Sequence, residues 1–277
     1  MADLIAFLGV PFLACLLMGS MLGYLGIHVL KREVIFIDIA VAQVAAMGAI
    51  AAHMLWDVEE DSLVSLAFSL GCVWLMAVFY AVARKKITQI SIEAVIGISY
   101  AITTAGALFL IGLHPGHLHA TEMLAGSLLW LAPNTLIVAL VVFVIVGLML
   151  ALFRRPLTAV SEDYSAVSHE GVKVIWWDFI FYALLGTVIT LSVRMSGVLC
   201  VFAFLIIPAT TSALLAQTWL FRILYAWITA IIASIAGLLF AYYLDFSVGP
   251  PIALFLGLLL VVVAIIKKVT LGKESVT

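Results

Sequence analysis

Residues 134–155 read NTLIVALVVFVIVGLMLALFRR and contain twenty consecutive uncharged residues followed by two arginines. An α-helix rises about 1.5 Å per residue, so a run of this length covers the roughly 30 Å hydrocarbon core of a bilayer. The two arginines would then lie at the membrane surface, where charged side chains stay hydrated. This stretch therefore predicts a membrane-spanning helix.

Eight further apolar stretches of similar length occur along the chain. They cover residues 4–30, 34–56, 62–83, 92–113, 174–193, 196–217, 223–244 and 250–266. The chain is 66% hydrophobic and 10% charged, with a mean hydropathy of +1.30, whereas soluble domains carry about 25% charged residues. We predict an all-α, polytopic transmembrane protein with eight or nine helices, forming one membrane domain over residues 1–277. The short run 124–131 could add a half-helix in the outer leaflet.

Positive charge is concentrated in every second loop between these stretches. Of the thirteen lysines and arginines, all but Arg194 would lie on one side of the membrane: Lys31, Arg32, Arg84, Lys85, Lys86, Arg154, Arg155, Lys173, Arg222, Lys267, Lys268 and Lys273. The positive-inside rule makes this side cytoplasmic, so the N-terminus is predicted outside and the C-terminus inside. Asp3 stands where a signal peptide has basic residues, so the first stretch is interpreted as a retained helix. Nucleic acid is not an expected partner.

Asp38 is the first candidate functional residue, because it is an acid inside the second apolar stretch. An ionisable side chain at this depth is costly unless it faces a cavity or a partner. The residues that share its helical face, at positions 42, 45, 49 and 52, are all alanine. Small residues let helices pack closely in lipid, so we expect Asp38 to be enclosed by protein. The alternative is a structural carboxylate that pairs only with Lys31 or Arg32.

Two further polar residues are candidates for the same pathway. Gln43 lies five positions after Asp38, about 140° around a regular helix, so the two cannot both face one centre without another chain or a distorted helix. Glu93 begins the fourth stretch. An acid in the first turn of a helix is favoured by the helix dipole, which is the structural alternative for this residue.

A cluster of possible metal ligands lies in the segment 114–122, HPGHLHATE. Neutral imidazole and carboxylate groups bind zinc, manganese, iron or nickel. In an extended segment, alternating histidines share one side, and the Pro-Gly pair favours a turn that brings the first histidine back toward them. Transient metal capture and an ordinary polar loop both remain open for the four residues His114, His117, His119 and Glu122.

Two polar segments are predicted at the cytoplasmic surface. Residues 154–173 are one, and Ser161 with the two acids that follow it could cap a short helix there. Pro208 is expected to end a helix at Ile207 and to start a second surface element that runs toward Arg222.

Several catalytic motifs are absent from the sequence. It contains no GxxxxGK[ST], HExxH or GxSxG pattern, which excludes ATP hydrolysis by a P-loop in this chain and gives no support to hydrolase chemistry. Its three cysteines are isolated in apolar runs and predict neither a disulfide framework nor a CxxC site. We do not expect an enzyme.

Five stretches together resemble the permease subunits of bacterial zinc, manganese and iron ABC importers, and more distantly the vitamin B12 and iron-siderophore permeases. They are SGVLCVFAFLIIPATTSALLAQ (196–217), YYLDFSVGPPIALFLGLLLVVVAII (242–266), KREVIFIDIAVAQVAAMGAIAAH (31–53), SIEAVIGISYAITTAGALFLIG (91–112) and TEMLAGSLLWLAPN (121–134). The resemblance covers most of the chain.

The resemblance implies a bacterial inner-membrane complex. Its parts are two permease copies, two cytoplasmic ABC ATPase subunits and a periplasmic or extracellular metal-binding protein, with a divalent metal as cargo and no tightly bound cofactor. Residues 161–171 match a cytoplasmic loop, and residues 245–250 match an outer turn before the last helix. The segment that leads into the helix touching the ATPase is matched by Pro208, Ala209, Thr210, Thr211 and Ser212.

One departure from the family pattern keeps the cargo open. Metal permeases of this family usually carry an aspartate and a histidine one helical turn apart early in the second helix, whereas here Gln43 stands nearest the histidine position. An amide is a poorer zinc ligand than imidazole. Import of a metal chelate or another small solute is therefore an alternative. Transport driven by an ion gradient is a second one, because it would also need an intramembrane acid.

Overall fold

The computed structural model describes residues 2–59, 62–113, 128, 131–169 and 173–274. Every extended regular element within these residues is an α-helix, and no strand occurs among them. The helices are α1 (Ala2–Arg32), α2 (Ile37–Trp56), α3 (Leu63–Lys86), α4 (Ile92–Leu113), α5 (Pro133–Leu152), α6 (Arg154–Glu162), α7 (Tyr164–His169), α8 (Val174–Ser196), α9 (Val198–Leu215), α10 (Trp219–Leu244) and α11 (Gly249–Glu274).

Nine helices in the described part of the chain are long and apolar enough to cross a membrane: α1 to α5 and α8 to α11. They coincide with the nine apolar stretches of the sequence to within a few residues at most ends, which confirms the predicted all-α, polytopic fold. Most of the run 124–131, interpreted above as a half-helix, lies outside the described residues.

The chain divides into two compact units. The first combines residues 1–30, 127–143 and 195–277, and in it α9, α10 and α11 pack against one another. Glycines allow two close approaches here, because a Cβ on Gly26 would lie 1.8 Å from the carbonyl oxygen of Leu205, and one on Gly237 would lie 2.8 Å from the backbone of Ile252. The organisation as one membrane domain over residues 1–277, expected from the sequence, stays a prediction.

The second unit combines residues 31–126 and 144–194, and within it α2 packs against both α3 and α4. Gly48 of α2 lies directly against α3, since a Cβ at this position would be 3.0 Å from the Cα of Ser69 and 3.2 Å from the sulfur of Cys72. The missing side chain at Gly48 therefore allows α3 to approach α2 closely at this point.

The break between α8 and α9 depends on one glycine. Gly197 has a φ of 79°, a left-handed conformation that residues with a Cβ rarely adopt. The chain turns there after Ser196 and enters α9 at Val198. A single residue thus separates two spans that follow one another in an almost continuous apolar run.

The polar segment 154–169 forms two short helices, α6 and α7. The acid that caps a helix is Asp163, whose carboxylate accepts a hydrogen bond from the amide of Ala166 at 2.8 Å. Ser161 was expected to share in this cap, but it belongs to the last turn of α6, where its hydroxyl donates to the carbonyl of Leu157. The cap falls to Asp163 because only that residue directly precedes α7.

Candidate functional site

Asp38 lies in the first turn of α2, and its side chain is almost completely buried, with 1% exposure. Neither carboxylate oxygen has a partner at hydrogen-bonding geometry within the described residues. The positive end of the α2 dipole is close to this carboxylate and offsets about 0.3–1 kcal/mol of its burial cost. Because a buried carboxylate without a partner costs considerably more than that, Asp38 is a buried acid that is neutralised only when it binds a proton or a cation.

The alanine stripe beside Asp38 is buried as predicted. The exposed fractions of Ala42, Ala45, Ala49 and Ala52 do not exceed 8%. This face of α2 is therefore covered by protein, and Asp38 is enclosed by protein as well. The sequence expectation that the acid is not exposed to lipid is confirmed.

The two basic residues that could have neutralised Asp38 have other acidic partners. Lys31 donates to the Glu162 carboxylate at 3.1 Å. Arg32 donates to Asp178 at 2.5 Å, and both of these side chains are fully buried. A structural ion pair between Asp38 and either cation is therefore not what the structure contains.

Gln43 is half-buried on α2, which is a regular helix from Ile37 to Trp56. The helix shows no distortion between Asp38 and Gln43, so the two side chains point in directions about 140° apart. A single copy of this chain does not bring them to one centre. The structure therefore agrees with the expectation from the five-residue spacing, namely that a regular helix does not direct both side chains to one centre.

Glu93 lies in the first turn of α4 and is half-buried. One of its carboxylate oxygens is buried without a hydrogen-bond partner in the described part of the chain. The start of α4 is capped instead by Ser91, whose hydroxyl accepts a bond from the amide of Ala94 at 3.2 Å. Glu93 thus benefits from the helix dipole and keeps an unused oxygen.

The predicted helix break before Pro208 is wrong. Helix α9 continues through Pro208 to Leu215, and Pro208, Ala209, Thr211 and Ser212 are buried, while Thr210 is half-buried. A proline inside a continued helix removes one backbone hydrogen bond and its ring crowds the carbonyl four residues earlier, which together cost about 3 kcal/mol. A break here would leave several backbone groups unbonded in apolar surroundings, which costs more. These five residues therefore form the inner part of a span, and its exposed end begins at Leu215.

The four proposed metal ligands of the segment 114–122, His114, His117, His119 and Glu122, lie outside the described residues. Within the described residues, no group of three or more histidine, cysteine or acidic side chains is arranged to hold a metal ion. Asp38 is consequently not part of such a group among the described residues.

A buried charge cluster that the sequence analysis did not identify lies in the second unit. Its centre is Asp178 of α8, which accepts hydrogen bonds from Arg32 at 2.5 Å and from Arg84 at 3.2 Å. The Arg32 guanidinium also donates to the Ser161 hydroxyl at 2.8 Å and lies 4.0 Å above the Phe181 ring. These contacts fasten the surface helix α6 to the end of α1 and to α8.

A tyrosine extends this cluster to the second surface helix. Arg84 lies 4.3 Å above the ring of Tyr164 in α7. Burial and the nearby Asp178 carboxylate raise the pKa of the Tyr164 phenol, although Arg84 opposes the shift. The sequence held a signal for this cluster, because Asp178 is an acid inside an apolar stretch just as Asp38 is.

The sequence matches known proteins over nearly its whole length. The model of the ABC 3 transport family covers residues 5–267. The manganese import system permease protein ScaB of Streptococcus parasanguinis is 30% identical, over 69% of this chain and 71% of that protein. The high-affinity zinc uptake system membrane protein ZnuB of Haemophilus influenzae is 24% identical, over 83% of this chain and 86% of that protein.

A solved structure has the same fold. PsaBC from Streptococcus pneumoniae in complex with Fab superimposes with a TM-score of 0.77 over 95% of this chain and 94% of that one, at 20% sequence identity. The chain therefore shares the fold of that protein.

Proposed function

This chain belongs to the ABC 3 transport family, a family of metal transport permeases, and on that premise we propose that it carries a divalent transition metal across the bacterial inner membrane. In this proposal a separate cytoplasmic ABC ATPase hydrolyses the ATP, and an extracytoplasmic metal-binding protein delivers the cargo. A second copy of the permease completes the path through the bilayer. The N-terminus lies outside and the C-terminus in the cytoplasm.

The observation that carries this proposal is the unsatisfied carboxylate of Asp38. Two buried acids occur in the spans of the second unit, and only Asp178 has cationic partners from the described chain. A cation that passes Asp38 would supply the missing positive charge. Burial of a carboxylate is tolerated in proteins when it coordinates a metal, so the cost of holding Asp38 has a functional explanation.

A second copy is proposed to complete the path. Asp38 is only 1% exposed in a single copy, so in this proposal it binds the cation from inside its own copy. Gln43 is half-buried on another face of α2 and would be the residue of this helix that the partner copy can reach, since a two-fold contact brings the same residues of both copies together. Carboxylate and amide oxygens are the donors that manganese accepts more readily than zinc does, which favours manganese among the three family metals.

The remaining candidate residues have distinct places in this proposal. The segment 114–122 would receive the metal on the outer face, and Glu93 would lie along the path. Residues 208–212, which match the family segment leading into the ATPase-contacting helix, would transmit movements of the ATPase along α9 rather than contact the ATPase themselves. The exposed end of α9 near Leu215 and Gln217 is the better candidate for direct contact.

Metal-dependent ATP hydrolysis by the reconstituted complex tests the proposal. The permease, its ATPase and its binding protein would be assayed with zinc, manganese, iron and nickel separately. We expect one free metal to stimulate hydrolysis, and stimulation only by a metal chelate would favour the chelate alternative. Transport that requires an ion gradient and no ATPase would contradict the proposal and favour a secondary transporter.

A further inference from the structure

A long apolar groove runs lengthwise along the exposed side of α3 in the second unit. It consists of two cavities, of about 510 and 640 Å³, which share Val78 and Phe179 as lining residues. The first cavity reaches Lys85 at the end of α3, and the second reaches Val64 at its beginning. Twenty-one helical steps separate these ends, or about 32 Å, which is the thickness of the hydrocarbon core.

Charge is confined to one end of this groove. Lys85 and Lys173 line the first cavity, and all of its other lining residues are apolar or aromatic. Both lysines are exposed, and neither forms an ion pair with the described part of the chain. The neighbouring Arg84, in contrast, is engaged by Asp178. The groove therefore presents, where the span meets the membrane surface, two ammonium groups that have no ion-pair partner among the described residues.

An aromatic side chain marks the same level. Trp176 lines the first cavity together with the two lysines, and it is 57% exposed. Tryptophan is enriched at the headgroup level of membranes, where its ring contacts acyl chains and its N–H contacts polar groups. From this level an acyl chain reaches the bilayer midplane after about 15 Å. On α3 the same distance, counted from Lys85, ends near Leu75 and Val78, where the two cavities meet.

We propose that this groove is a binding site for an anionic phospholipid. Its phosphate lies between Lys85 and Lys173, and its acyl chains lie along Val78 and Phe179. Basic pockets between membrane helices have the charge that recognises acidic headgroups. A second copy of this chain fits less well, because a two-fold contact at this groove would bring like charges together.

Lipid titration of the full-length chain, followed by native mass spectrometry, tests this site. In neutral detergent, phosphatidylglycerol is expected to bind more tightly than phosphatidylcholine. Replacement of Lys85 and Lys173 by glutamine should weaken phosphatidylglycerol binding about fivefold for each lysine, and about 25-fold for both. Lys86→Gln with Lys268→Gln removes the same charge elsewhere and should change binding less than twofold. Equal losses in both double variants, or no preference for phosphatidylglycerol, would overturn the proposal.

A steric variant tests the acyl part of the groove independently. Val78→Trp fills the junction of the cavities, whereas Val144→Trp adds the same bulk to α5 at a position of similar exposure, 51% against 46%. We expect only Val78→Trp to lower the number of bound phosphatidylglycerol molecules. Unchanged lipid binding together with a changed oligomeric mass would show that a second copy occupies the groove, and the lipid assignment would be wrong. These measurements do not depend on the identity of the transported metal.

Discussion

Replacement of Asp38 by asparagine tests whether this carboxylate serves the cargo or the fold. Asparagine has nearly the same shape but no charge. The buried carboxylate has no hydrogen-bond partner in the described residues, so its desolvation costs about 1–3 kcal/mol or more, of which the α2 dipole offsets about 0.3–1 kcal/mol. Without metal, Asp38→Asn should therefore unfold at the same temperature as the wild type or a higher one.

Transport should respond in the opposite direction. Mutation of groups that only support a metal ligand costs about 10- to 100-fold in metal affinity or activity, and loss of the charge of the ligand itself should cost at least as much. Uptake of radioactive metal into proteoliposomes at limiting concentration should fall at least about tenfold. Co-purification of the ATPase with the variant would show that assembly is intact.

Asp178→Asn is the matched control, because it changes the other buried acid of the second unit. This substitution leaves Arg32 buried without its charged partner, and such a change costs about 3–5 kcal/mol. We expect a large loss of thermal stability for Asp178→Asn and none for Asp38→Asn. The reasoning would be refuted by full uptake in Asp38→Asn, or by a loss of stability as large as that of the control.

Three further predictions follow from the sequence and the fold. Alanine at the three histidines of segment 114–122 should reduce uptake mainly at low metal concentration; an equal loss at all concentrations would indicate a folding defect. Gly26→Ala should prevent correct folding, measured as monodisperse yield, since its Cβ would overlap the Leu205 carbonyl, whereas Gly97→Ala has open space and should be neutral. Arg32→Gln should release α6, measured as faster limited proteolysis within residues 154–169, and unchanged cleavage would contradict the fastening role of this arginine.

The membrane spans could be predicted from the sequence because each is specified locally. A run of twenty apolar residues such as 134–153 is stable as a helix in the hydrocarbon core of a membrane, whichever helices surround it. The turn between α8 and α9 is likewise a local feature, because it depends on the left-handed backbone conformation of a single residue, Gly197. Nine apolar stretches therefore gave nine candidate spans.

The errors concern features that depend on surroundings. Pro208 was expected to end a helix, because proline disrupts helices in water. Inside the first unit, the packed and apolar environment makes continuation cheaper than a break. Ser161 and Asp163 are both good capping residues, and only the actual start of α7 decides between them.

Asp38 and Asp178 show what a sequence rule for intramembrane acids can and cannot deliver. The rule marks both residues, since each interrupts an apolar stretch. It cannot tell them apart, because the partner of Asp178 is Arg32, 146 positions away in the sequence. The fold supplies Asp178 with two cations and Asp38 with none from the described residues. An acid that the chain neutralises itself has a structural explanation, whereas a buried acid without a partner binds a proton or a cation from outside, and in the proposed function that cation is the transported metal.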